Sequence, residues 1–171
     1  MRALADSSLE PYDVVFPLNF GAPATIPANL AIAEIALRES RRRDIPLFYA
    51  PRDIFDFGDY PQGFFKDFSG YISTVKQVRA LAETARERSW RSVLVIAAPP
   101  HRWRALRDLR AAGFVAEVDD SPRQLPRRFW YAKESEHKQT TSWFRWWFTW
   151  ELPARVVIFA CRRCYERRAS R

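Results

Sequence analysis

The run Val93-Leu94-Val95-Ile96-Ala97 constrains this chain more than any other stretch. It is too short for a helix and lacks the alternation of a half-exposed strand. Such a run suits a strand covered on both faces, as parallel sheets require. Pro99 and Pro100 end it, and the pattern predicts a helix from about Pro100, where a missing N–H costs nothing. Leu106, Leu109 and Ala112 fall on one face of that helix, Trp103 extends the face, and Gly113 is its stop. His101 and Arg104 then share a side of the first turn, at the carboxyl end of a strand and the amino end of a helix. Free N–H groups and the helix dipole favour an anion there, so an imidazole and a guanidinium suit a phosphate or carboxylate. A solvated helix face would carry the same residues.

The rest of the chain repeats the strand–helix alternation. Tyr12–Leu18 reads as a first strand, shortened by Pro17. A helix is predicted over Asn29–Arg42, a second strand over Ile45–Tyr49, a helix from Thr74 to Arg88, and a strand over Phe114–Val118. Thr74 and Gln77 fit a capping box, with Thr74 as N-cap, which gives Thr74 a structural role whether or not it touches a ligand. The expected fold class is α/β, a three-layer α/β/α sandwich on a mainly parallel sheet, with Val93–Ala97 central between Val14–Leu18 and Ile45–Tyr49. Residues 51–71 are dense in Asp, Phe, Gly and Pro and read as a long loop, either a lid or an irregular core edge. Asp53, Asp56 and Asp59 lack the spacing of a calcium loop.

A net charge of +8, carried mostly by arginine, favours an anionic partner: nucleic acid, anionic lipid or a phosphorylated ligand. Arg41-Arg42-Arg43 fits the negative end of its helix better than an anion patch. The expected organisation is a leader over 1–11, one domain over 12–160 and a basic tail over 161–171. Two cysteines make no disulfide framework, and Cys161 and Cys164 with two histidines supply no convincing zinc set. With neither signal peptide nor spanning segment evident, a cytoplasmic, reduced protein is expected. In the last apolar stretch Trp143, Trp147 and Trp150 form one helical stripe, and Pro153 kinks or ends the helix. Packing of the stripe on the sheet is expected; its rival is an interfacial helix giving peripheral contact with anionic lipid.

Thr74, the strand Val93–Ile96, the step His101-Arg102-Trp103-Arg104-Ala105, Gly113 and the late Glu151 together resemble the bacterial family that contains YdcF, SanA and ElyC. The resemblance runs over about residues 12–160 and is specific from Ser73 to Gly113. It implies a Rossmann-like α/β domain, a link to cell-envelope biogenesis, and a small anionic ligand, phosphorylated or nucleotide-like. It also implies site residues: His101 as the catalytic proton donor or acceptor, Arg104 holding the anion, and Thr74 and Glu151 orienting them. S-adenosylmethionine or a nucleotide is the cofactor implied. Where the family carries glycines after its first two strands, this chain has Pro17-Leu18-Asn19-Phe20-Gly21 and Tyr49-Ala50-Pro51, and Ala97-Ala98 replaces a Thr-Ser step. Bulk at those places obstructs main-chain contact with phosphate, which marks a divergent member. The alternative function is a non-enzymatic basic module for anionic lipid or nucleic acid.

Overall fold

A computed structural model describes residues 12–49, 57, 60–65, 73–131 and 133–161, with Gln139 and Trp150 by backbone alone. The expected leader, most of the 51–71 stretch with Asp53, Asp56 and Asp59, and the tail beyond Cys161 lie outside the described residues.

Five strands form one all-parallel sheet: β1 (Val14–Leu18), β2 (Leu47–Tyr49), β3 (Gly63–Phe65), β4 (Ser92–Ala97) and β5 (Val115–Val118), in the order β3-β2-β1-β4-β5. The pairs run in unbroken register from Val14 opposite Val93 to Leu18 opposite Ala97. All five residues of β1 and five of the six in β4 are buried, as their apolar sequences require. The alternation of side chains divides the core in two. Val15, Leu94 and Ile96 meet α1 (Pro27–Arg43) through Ile32, Ile35 and Ala36. Val14, Phe16, Val93 and Val95 meet α2 (Thr74–Arg88) and α3 (Arg102–Ala111) through Val78, Leu81, Ala105 and Leu109. Helices thus cover both faces, and the fold is the Rossmann-like three-layer α/β/α sandwich that the alternation predicts.

Several local expectations are corrected. The central strand is β1, with β2 and β4 on either side of it; β4 lies between β1 and β5. Pro17 does not shorten β1. Val15 N–H donates to Pro46 O on the β2 side, and alternation directs residue 17 to that side too, so its missing N–H leaves the β4 ladder whole. Strand β3 lies within the expected long loop, as a three-residue edge strand paired with β2. Helix α1 starts two residues earlier than predicted, with Pro27 in its first turn. In α3 the inward residues are Arg104, Ala105 and Leu109, while Trp103 is 44% exposed and Ala112 is exposed. A 3-10 turn over Pro99–His101 rotates the helix away from the phase an α-helix begun at Pro100 would have.

The last helical run is continuous but changes character: α4 (Trp143–Arg145), a π-helical segment (Trp146–Glu151) and α5 (Leu152–Ala160). Ser142 caps it by accepting from Arg145 N. Leu152 N–H reaches back five residues to Trp147 O. That wider turn lets Pro153 pass without ending the helix, since a proline strains the residue four before it in α geometry. The predicted tryptophan stripe is also displaced: Trp143 is 49% exposed, Trp147 is part-buried, and Trp146 is the ring in the core. No helix of the described residues is long and apolar enough to cross a membrane. Cys161 is disulfide-bonded, where reduced thiols were expected.

Helices α2 and α3 end alike, in a left-handed residue followed by a residue whose N–H reaches five back: Trp90 to Ala85 O, and Phe114 to Leu109 O. Gly113 (φ 95°) suits that place, and Ser89 (φ 60°) does not. Ser89→Gly should raise unfolding free energy by about 0.5 kcal/mol and Gly113→Ala should lower it by about 1 kcal/mol, read by urea titration.

Candidate functional site

The strand order reverses direction between β1 and β4, because the chain leaves β1 toward β2 and β3 and returns through α2 to β4 on the other side. In open parallel sheets the crevice beyond the carboxyl ends of the strands at such a point is the ligand position. Here those ends are Leu18 and Ala97, and the residues that follow them are Asn19-Phe20-Gly21 and Ala98-Pro99-Pro100-His101.

Thr74, His101, Arg104 and Glu151 are drawn together at this point, in two linked pairs. Thr74 Oγ1 lies 2.8 Å from His101 Nε2. Arg104 Nη2 lies 3.9 Å from Glu151 Oε2, an ion pair without a hydrogen bond. The Trp146 ring joins the pairs, with the Arg104 guanidinium 5.1 Å from its centroid and the His101 ring 6.0 Å away. All four polar residues are at least nine-tenths buried, down to 1% exposure for Glu151. A solvated helix face is therefore not what His101 and Arg104 form.

Each element delivers its residue for a local reason. The N-cap of α2 is Ser73, which accepts from Lys76 N; Thr74 is the first helical residue and is not the cap the sequence suggested. Relieved of capping, its hydroxyl is available to His101. The 3-10 turn brings His101 inward beside Arg104. Glu151 closes the π-helical segment, where residues five apart come near the same face, so Glu151 and Trp146 both point inward. On its outer side Glu151 Oε1 accepts from Arg155 Nε at 3.0 Å, while Oε2 is buried without a hydrogen bond.

Sequence reasoning missed the polar floor and the aromatic cover. Gln77 donates to Asn19 Oδ1 at 3.0 Å, and Asn19 Nδ2 donates to Gly21 O. Asn29, wholly buried in the first turn of α1, accepts from Phe20 N and donates to Gly21 O and Pro23 O, fixing the β1–α1 loop. An asparagine two residues after the proline that begins a helix is the one signal that could have been used. Phe20 packs on Trp146 at 4.6 Å and approaches Tyr131 at 5.8 Å and His101 at 6.4 Å.

Burial sets the electrostatics. His101 is held well below the usual imidazole range, first by desolvation and then by the Arg104 charge, with the Asn19 main chain acting in the opposite sense. The ring is thus neutral. With Nε2 engaged by Thr74, Nδ1 is the nitrogen left for Asn19, although it makes no well-aligned hydrogen bond. We assign the proton to Nδ1, so that Nε2 accepts from the Thr74 hydroxyl. This pair can pass a proton at Thr74 Oγ1, and Arg104 supplies a fixed positive charge beside it.

Gly21 does not offer the open glycine of a dinucleotide site. The glycine of such a site leaves space for pyrophosphate, but a Cβ on Gly21 would stand 2.6 Å from Ser135 Oγ and 2.7 Å from Thr140 Oγ1. That space is filled by the chain itself. Among the described residues no three His, Cys, Asp or Glu side chains gather as metal ligands. The Arg41–Arg43 cluster is largely absorbed by Glu39, which Arg42 meets at 2.6 Å and Arg43 at 3.4 Å.

The neutral, buried His101 gives stability a defined pH dependence. Its folded pKa lies below the unfolded value, so below about 6.5 the unfolded chain takes a proton that the folded chain refuses. Stability is present above that pH and falls as pH drops, by up to about 1.4 kcal/mol per pH unit. His137, also lowered by desolvation, adds in the same sense. Urea titrations between pH 7 and 5 should show His101→Gln with the shallower slope and His137's share remaining. Equal slopes would contradict a neutral His101.

No protein-family model matches the chain, and neither does any curated protein sequence.

Proposed function

We propose that this protein is a divergent member of the YdcF-like family that binds a small anionic ligand, a phosphate or carboxylate group, at the β1–β4 switch point. One observation carries the reading: four polar side chains from three helices and the β4–α3 turn are buried together at the position where parallel sheets hold ligands. Desolvating a buried ion pair costs several kcal/mol, which hydrophobic replacements would avoid, so the pair calls for another purpose. Arg104 is the anion-holding group. Glu151 is its counter-charge until the ligand replaces it, an exchange favoured by the 3.9 Å separation. His101, neutral and hydrogen-bonded to Thr74, is the group that accepts or donates a proton if the ligand is turned over. The filled space at Gly21 favours a compact anion over a nucleotide or S-adenosylmethionine. The link to cell-envelope biogenesis rests on the family resemblance.

A thermal-shift screen tests the reading with inorganic phosphate, pyrophosphate, sugar phosphates, small di- and tricarboxylates, nucleotides and S-adenosylmethionine. A ligand at a hundredfold excess over its Kd adds about 2.7 kcal/mol, or about 5–10 °C for a chain of this size. At least one compact phosphate or carboxylate compound should stabilise the wild type. The shift should vanish in Arg104→Gln/Glu151→Gln, in which both buried charges are removed together. The reading fails if no anion stabilises the wild type, or if the double variant responds equally.

A further inference from the structure

The helical run that turns Glu151 and Trp146 inward leaves an apolar stripe on its opposite side. Phe144, Phe148, Leu152 and Val156 recur every four residues, Phe159 follows three later, and all five are 48–96% exposed. Phe144 stacks on Phe148 at 4.5 Å, and Trp143, Trp147, Phe148 and Leu152 border a shallow hollow with no polar lining. Exposed apolar residues scattered singly need no explanation, but a continuous aromatic and aliphatic row does.

Charge identifies the occupant. Arg145 is exposed on the same run, and the sequence that follows carries Arg162, Arg163, Arg167, Arg168 and Arg171 against Glu166 alone. The whole chain is +8. A partner with an apolar interior and a negatively charged surface fits both features, and an anionic bilayer has both. From Trp143 to Ala160 the run is about 27 Å long at 1.5 Å per residue, and it is not apolar enough to cross a membrane. The geometry is that of a helix lying in the plane of the interface.

We infer that the Trp143–Ala160 run is a docking surface for an anionic phospholipid bilayer, with Phe144, Phe148, Leu152, Val156 and Phe159 entering the acyl boundary and arginines meeting the headgroups. Glu151 on the inner face of the same helix would then place the β1–β4 site beside the membrane. The inference stands on the outer face alone and does not depend on what the inner site binds.

Vesicle flotation tests it, using the full chain, phosphatidylcholine vesicles, and vesicles containing about one-third phosphatidylglycerol. Wild type should float with the anionic vesicles and stay behind with the neutral ones. Raising salt should weaken binding, because the headgroup contacts are screened. Phe148→Asp/Val156→Asp alters two exposed positions, so its thermal midpoint should stay near wild type while partitioning falls at least tenfold. Sedimentation of both forms without lipid separates the competing occupant. A wild-type dimer that the double substitution splits would assign the stripe to a second copy and overturn the inference. Absence of flotation with anionic vesicles, or equal flotation of the variant, would overturn it as well.

Discussion

The pairing of β1 with β4 is the constraint on which the rest of this structure depends. Both strands are apolar on both faces, so neither can be an edge strand or face water. Once they lie side by side, helices must cover both faces. The remaining strands must also add outward, β2 and β3 beyond β1, and β5 beyond β4. The carboxyl ends of two strands distant in sequence are thereby brought together, and the loops that leave them diverge. The crevice so formed belongs to the topology. What fills it belongs to the later part of the chain.

That filling is unusual in its mixture. Phe20, Trp146 and Tyr131 exclude water, and inside them sit a guanidinium, a carboxylate and an imidazole. Low local polarity strengthens each interaction and raises the penalty for each imperfect one. Glu151 is secured on one oxygen by Arg155 and faces Arg104 with the other across a gap longer than a hydrogen bond. Neutral His101 is the consequence: with burial and Arg104 both opposing its charge, the ring lowers its free energy by staying unprotonated and accepting from Thr74.

Much of this was legible from the residues. The unbroken apolar runs at 14–18 and 93–97 signalled buried parallel strands, and the prolines after Ala98 placed His101 at a strand-to-helix junction. The order of the strands was less legible, because β1 and β4 carry the same pattern and nothing local says which is central. Strand β3 escaped because three residues, Gly63-Phe64-Phe65, show no period and lie among turn formers. The tryptophan spacings of three and four put the stripe in the wrong phase because they assume an α-helix, whereas the π-helical segment shifts the inward positions to Trp146 and Glu151. The capping-box pattern points to Thr74 as the cap, but Ser73 one residue earlier takes that role. Asn19, Gln77 and Phe20 could not be singled out, since their part arises only when α2 and the β1–α1 loop meet across 58 residues of chain.

At the switch point a neutral imidazole, buried within a cluster of polar groups, accepts from Thr74. Nitrogen-15 imidazole spectra of the folded protein between pH 8 and 5 test it most directly, with His137→Gln identifying the His101 signals. His101 should show a single neutral tautomer, protonated on Nδ1 and unprotonated on Nε2, and should take up no proton in the usual imidazole range. A ring that takes up a proton near pH 6.5, or that averages between tautomers as a solvated histidine does, would contradict it.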